Sequence, residues 1–394
     1  MGVKVGIVGV GAFAQSFIPL FKAHPLVEEL ALCDLDAEKL EASLQKHGIA
    51  HRSPSLDHLC TTDVDAIVLM TQNDRHAPQA IQALHAGKHV YSAVPSAISM
   101  EEMTALFQTV LATGKTYMLG ETSYYYPCAL YCRERFRRGD FGRIVYGEAE
   151  YYHDFDHGLY EVSQWRFGTE WRQRAGSPPM HYPTHSTSLI VSVTGAHMTH
   201  VSCQGFVDTD EDGLFDPALN RYCNPFSNES ALFKMSDGSV CRINEFRRIG
   251  HPGTVRMSLH GTEGSYEEQH GSQVWLTKDA KQAEILNDLL HCGEIPAADI
   301  SGAMANVASG GTHLSVSSVH PVARLPREFL GLPNGHCGSH QFLVDDFVTA
   351  CVEGTLPPNN IWEAARYVIP GLIAHESALR GGELLDVPDF GDPP

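Results

Sequence analysis

The chain has 394 residues, 43% of them hydrophobic, 19% charged and 9% aromatic, a composition that supports folded cores and argues against disorder. That length exceeds what one hydrophobic core usually serves, so two domains are expected. With 28 basic against 47 acidic residues the formal charge is -19, a field that repels phosphate backbones and anionic lipid; no nucleic acid and no membrane is expected as a partner, and no run approaches the ~20 apolar residues of a membrane span.

The first 120 residues alternate short apolar runs with helical patterns. Val3–Val8 reads as a buried strand, Glu29–Asp34 as a second with a helix over Ala37–His47, and Ala66–Met70 as a third with a helix from about Ala77 to Ala86. Lys88–Ser92, a helix over Met100–Thr113 and a fifth strand at Thr116–Leu119 follow. Strands and helices taking turns imply parallel pairing with right-handed crossovers, hence an α/β doubly wound sheet. Beyond about Tyr126 the texture changes. Gly142–His153 alternates, Ser230–Phe246 carries a Ser236-Asp237-Gly238 hairpin turn, and Val255–Leu259 and Gln273–Leu276 add strands of an antiparallel sheet. The stretch 279–336 has no readable pattern; helices over Gln341–Val352 and Ile361–Leu379 close the chain. The expected division is 1–124 and 125–394, with the terminal helices free to pack back on the first domain. The 10 cysteines include no CxxC pair, and the apolar start has no basic region beyond Lys4, so reduced thiols and a cytoplasmic protein are expected.

Gly9-Val10-Gly11-Ala12-Phe13-Ala14 is a G-x-G-x-x-A turn between a strand and a helix. The first glycine allows the tight turn, the second lets backbone approach a pyrophosphate, and Ala14 lets the helix pack close. Asp34 ends the second strand 20 residues beyond Ala14, where a carboxylate accepts both ribose hydroxyls and repels a 2′-phosphate, favouring NAD. Pro19, inside the following helix, is expected to kink or end it. Three more loops fall at strand carboxyl ends, where open α/β sheets hold ligands: Thr71, Asn73 and His76 after the third strand, Ala93-Val94-Pro95 after the fourth, and Glu121 leading to Tyr124 and Tyr125 after the fifth.

The glycine turn, the Thr71–His76 loop, the run AGKHVYSAVP and a following antiparallel-sheet domain together resemble the Gfo/Idh/MocA oxidoreductases. The resemblance covers most of the chain and implies a Rossmann domain, an α+β domain with a large open-faced sheet used for homodimer or homotetramer formation, and NAD-dependent chemistry on a carbohydrate. Typical members end the fourth strand in Glu-Lys-Pro, whose lysine helps move the substrate hydroxyl proton; here Val94 stands in its place. The run Tyr182-Pro183-Thr184-His185 is similar to the NAD-dependent α-N-acetylgalactosaminidases, which also carry Val before Pro. Their preceding Glu is Ala93 in this chain, and the chain shows no Tat-type signal such as exported members carry. That resemblance implies a glycoside hydrolase working by oxidation at C3, elimination of the aglycone, water addition and re-reduction. The alternatives are a plain sugar or polyol dehydrogenase and a non-catalytic NAD sensor.

Oxidising a hydroxyl requires a base, and with Val94 inert His185 is the leading candidate and His181 the second. A bystander histidine at a helix start is the competing account of His185. Tyr182, Tyr124 and Tyr125 offer phenols for proton removal at C2. His153 with Asp154, Asp156 and His157 is crowded with ligand types, but a strand leading into a loop does not put them on one face, so substrate contact is expected and no metal. Trp165 and Arg166, like Trp171 and Arg172, suit a sugar face or acidic substituent, and rim packing accounts for them equally. His340, before the late helix, is a minor candidate.

Overall fold

In the computed structural model, which describes residues 2–296 and 312–394, the chain divides into two compact units: Met1–Leu130 with Asp288–Ala364, and Tyr131–Asn287 with Ala365–Pro394. The first carries six parallel strands, β1 (Val3–Val8), β2 (Val27–Cys33), β3 (His51–Ser53), β4 (Ala66–Leu69), β5 (His89–Ser92) and β6 (Tyr117–Leu119), in the order β3-β2-β1-β4-β5-β6. That order reverses at β1, the hallmark of a Rossmann sheet. β3 escaped the sequence reading because an edge strand of three polar residues has no apolar period to show. Helices α1 (Ala14–Ala23), α2 (Ala37–His47), α3 (Leu56–Thr61), α4 (His76–His85) and α5 (Met100–Thr113) connect the strands. Asp36 caps α2 by accepting from the Glu38 and Lys39 amides at 3.1 Å, and Ser99 caps α5 from the Glu102 amide at 3.2 Å.

Of the two outcomes expected at Pro19, a kink or an end, the end does not occur: α1 runs on to Ala23. Pro19 removes one helical hydrogen bond, but Phe17, Ile18, Leu20 and Phe21 around it are completely buried. Each such side chain contributes about 1.5–3 kcal/mol, which outweighs the roughly 3 kcal/mol a proline costs. Part of that burial comes from the helix Ser339–Glu353, whose Phe342, Leu343, Val344, Phe347 and Val348 share one core with Phe17, Phe21 and Tyr91. The expected division into 1–124 and 125–394 leaves this helix in the second part, free to pack back on the first, and the structure groups it with the first unit.

The second unit is built on β7 (Ile144–Tyr152), β8 (Met198–Val207), β9 (Phe226–Met235), β10 (Val240–Phe246), β11 (Thr254–Gly261), β12 (Gly264–Gln269), β13 (Ser272–Thr277) and β14 (Glu284–Ile285). They lie in the order β14-β13-β12-β11-β7-β10-β9-β8, with Leu385–Asp386 beyond β8. β7 and β10 pair in parallel and the remaining described neighbours antiparallel. The β9–β10 hairpin turns at Asp237, whose carboxylate accepts from the Ser239 amide at 2.9 Å. Helices α6 (Pro127–Arg137), α7 (Leu159–Phe167), α8 (Trp171–Ala175) and α9 (Thr184–Thr194) accompany the sheet, and α9 packs on β7, β10 and β11. Within this unit Gly371 lets the last helix, Ile361–Leu379, press on the segment leading into α9: a Cβ there would sit 2.1 Å from the Met180 carbonyl oxygen. Among the described residues, no helix is long and apolar enough to cross a membrane.

Candidate active site

The glycine turn of the first unit is built by backbone and one carboxylate. Gly9 has φ +91°, and a Cβ on it would lie 2.7 Å from the Met70 carbonyl oxygen, so no other residue fits. Asp34 Oδ2 accepts from the Val10 amide at 2.9 Å and Oδ1 from the Asp36 amide at 2.9 Å. The acid is thereby locked beside the turn, with lone pairs remaining on both oxygens for ribose hydroxyls. Gly11, Ala12 and Phe13 lead into α1, whose first residue, Ala14, is fully buried. This turn, helix start and acid fit an adenine dinucleotide: the cradle excludes a Cβ where backbone must stay low, and the carboxylate sits at the end of β2.

The loops after β4 and β5 are braced to each other. His76, 1% exposed, sets Nδ1 against the Pro95 carbonyl at 2.8 Å and Nε2 against the Thr71 carbonyl at 3.0 Å, tying two loops together. Thr71 also donates to Gln79 at 2.6 Å, and Asn73 accepts from the Asp74 amide at 2.9 Å. Ala93 and Val94 are buried, and the Val94–Pro95 bond is cis. Glu121 is fully buried and caps its own loop through the Ser123 amide at 2.8 Å. The Tyr124 ring meets Tyr125 edge-on at 4.9 Å. Tyr125, expected in a ligand loop with a phenol free for proton removal, stacks on Phe342 at 4.9 Å; its hydroxyl donates to Asp346 at 2.5 Å and accepts from Arg324 at 2.8 Å.

In the second unit His185 occupies the first turn of α9 and is 7% exposed. Its ring meets Tyr151 edge-on at 5.2 Å and Tyr182 at 5.4 Å. The Tyr151 hydroxyl pairs with His153 Nδ1 at 2.7 Å. Next to His185, Ser186 donates to Glu245 at 2.5 Å, and Arg247 donates to the other Glu245 oxygen at 3.1 Å while its guanidinium lies 4.9 Å over the Tyr151 ring. Complete burial pushes the Glu245 carboxyl up to about 7, against the pull of Arg247, Ser186 and His185. Burial, and then the charges of Arg247, Arg166 and His185, push His153 down to about 4, leaving it a neutral acceptor for the Tyr151 phenol at neutral pH. An imidazole, a phenol and a carboxyl near neutrality in one packed group are what proton transfer requires.

Other candidates fall elsewhere. His181 stands 5.0 Å from His375, itself paired with Glu229 at 2.7 Å; its Nδ1 is sealed without a partner, and burial pushes it down to about 3. Trp165 and Arg166 are exposed on α7, with the Arg166 charge felt at His153. Arg172 stacks on Trp171 at 4.9 Å and donates to the Asp212 carbonyl at 2.9 Å. His340 lies within the helix Ser339–Glu353 rather than ahead of it. Among the described residues no group of three or more His, Cys, Asp or Glu is placed to hold a metal. Tyr151, Ser186, Glu245 and Arg247 were not singled out from the sequence. Only Tyr151, next to His153 at the end of an alternating strand, left a local trace.

Residues 3–121 match the oxidoreductase family model with the NAD-binding Rossmann fold, Gfo/Idh/MocA. A glycosyl hydrolase family 109 protein from Streptomyces filamentosus is 24% identical over 98% of this chain and 77% of its own. Another, from Shewanella pealeana, is 30% identical over 197 residues, 46% of this chain and 42% of its own. Among solved structures, myo-inositol 2-dehydrogenase from Lactobacillus plantarum has a TM-score of 0.70 at 18% identity, covering 98% of this chain and 100% of that one. Levoglucosan dehydrogenase in complex with NADH and levoglucosan has a TM-score of 0.75 at 17% identity, covering 99% and 100%. Both share the fold. Taken with the Gly9 cradle, the locked Asp34 and the strand order, the match shows that the amino-terminal domain belongs to the Gfo/Idh/MocA oxidoreductase family and is an NAD-binding Rossmann domain.

Proposed function

We propose that the protein is an NAD-dependent glycoside hydrolase that oxidises C3 of a sugar, eliminates the aglycone across C1–C2, adds water and restores the C3 hydroxyl. The observation that carries this reading is the buried group of His185, Tyr151 and Tyr182 in the second unit, in a chain whose fourth-strand loop carries the inert Val94. Family 109 glycosyl hydrolases among the relatives support it, as do sugar-binding dehydrogenases among the structural neighbours. Gly9, Gly11 and Asp34 would hold NAD, which when bound would supply hydride-transfer chemistry at C3 in both directions.

His185 takes the C3 hydroxyl proton as the ketone forms and gives it back on re-reduction. The ketone acidifies C2–H, and the phenolate form of Tyr182 or Tyr151 takes that proton as the C1–oxygen bond to the aglycone breaks. Water then gives its hydroxide to C1 and its proton to the departing aglycone oxygen, and the tyrosine returns a solvent-exchanged proton to C2. Glu245, with Ser186 and Arg247, positions α9 and His185 rather than touching substrate. Trp165 and Arg166 contact the sugar from α7. The free state of the cysteines supports a reducing, cytoplasmic setting, and exposed Phe206, Val207 and Leu232 on β8 and β9 support a homo-oligomer.

The test is cleavage of a panel of nitrophenyl glycosides with catalytic NAD in deuterium oxide. Release of nitrophenol with no net NADH, and one deuterium at C2 of the sugar, is the expected result. NADH accumulating in step with substrate consumed would replace this reading with a plain sugar or polyol dehydrogenase. Tight NAD binding with no turnover on any glycoside or polyol would make it a sensor.

A further inference from the structure

We propose that His336 is a cofactor-binding residue, donating a hydrogen bond from Nε2 to a pyrophosphate oxygen of the dinucleotide; this rests on NAD occupying the glycine turn. Every contact used here lies within the first unit. His336 is exposed, and its ring stands 5.7 Å from that of Phe13, the fifth residue of the glycine turn and therefore next to where the phosphates bind.

Its tautomer follows from its neighbours. The Gly335 amide donates to His340 Nδ1 at 3.3 Å. His340 is 2% exposed, and burial and then the neighbouring His336 hold it well below the usual imidazole range, at about 3, so it is neutral with its single proton on Nε2. That Nε2–H donates to His336 Nδ1 at 2.8 Å, which leaves the proton of a neutral His336 on Nε2. The relay is rigid, because the His340 ring packs at 4.2 Å on Phe17 and at 5.6 Å on Phe13 of the turn and its helix. A buried histidine thus fixes an exposed one as a donor.

Two further observations converge on this place. His336 and Cys337 both have φ +49°, a left-handed pair of non-glycine residues whose strain the fold retains. Ser339, two residues on, donates to the Thr122 carbonyl at 2.7 Å, and the Thr122 hydroxyl, 1% exposed, is sealed without a hydrogen-bond partner.

The experiment is isothermal titration calorimetry of the full-length protein with NAD and with ADP-ribose, which carries the same pyrophosphate without nicotinamide, comparing His336→Phe and His336→Gln with the parent. A hydrogen bond to a charged phosphate predicts that His336→Phe weakens both ligands about tenfold, while the glutamine amide, able to replace the Nε2 donor, stays within about threefold. An unchanged Kd in His336→Phe, or equal losses in both variants, overturns the assignment while leaving the dinucleotide reading intact. Failure of the parent itself to bind either ligand overturns that reading as well.

Discussion

Glu245 offers the sharpest check on the electrostatics of the second unit. It is completely buried, accepts from Ser186 and Arg247, and is pushed by desolvation up to about 7 from the 4.5 of a solvated glutamate. A carboxyl whose folded pKa is raised contributes stability that is fully present below about 4.5 and is lost as pH rises through about 7. At 1.36 kcal/mol per pKa unit, the loss between pH 5 and pH 8 is about 2.5 kcal/mol. Glu245→Gln keeps the shape and one acceptor oxygen but cannot ionise, so that loss disappears. His153, whose pKa is lowered to about 4, contributes with the opposite sign, its stability being present above about 6.5 and lost as pH falls toward 4. It is common to both proteins and cancels in the difference. Urea unfolding followed by tryptophan fluorescence suits the measurement, since Trp165, Trp171 and Trp275 all belong to the second unit. The parent is expected to lose about 2.5 kcal/mol more than the variant from pH 5 to pH 8. Parallel curves for the two proteins would refute the argument, showing Glu245 to be an ordinary carboxylate held ionised by Arg247.

Gly9→Ala forces a Cβ to 2.7 Å from the Met70 carbonyl oxygen at φ +91°, so NAD affinity should fall at least about tenfold with roughly 1–3 kcal/mol of stability lost, read by calorimetry and thermal melting. Asp34→Ala removes the acceptor of the Val10 amide and the ribose partner; NAD should bind roughly tenfold more weakly and the preference over NADP should shrink, measured by competitive titration of the two nucleotides. Tyr151→Phe deletes the hydroxyl facing His153 while keeping the ring against His185; a role in proton transfer predicts kcat down by about 100-fold with KM and melting temperature nearly unchanged. Equal kcat values would assign Tyr151 to packing alone.

The parallel sheet, its glycine turn and Asp34 are legible because local chemistry determines them. A buried strand needs a continuous apolar run, a turn under a pyrophosphate needs Gly9, and a ribose partner needs an acid at the end of β2. The Asp237–Gly238 hairpin and the helix over Ile361–Leu379 are legible for the same reason, each being written in neighbouring residues. What the chain order hides is contact between distant segments. α1 survives Pro19 because Phe342 and Phe347, more than 300 residues later in the chain, help to bury its apolar face. His185 stands out in a short motif, but its environment comes from Tyr151 on β7 and from Glu245 and Arg247 at the end of β10, strands whose parallel pairing joins segments about 90 residues apart. Periodicity and spacing decide local conformation and its turn chemistry. Burial and charge pairing, which set protonation, exist only once the chain has folded.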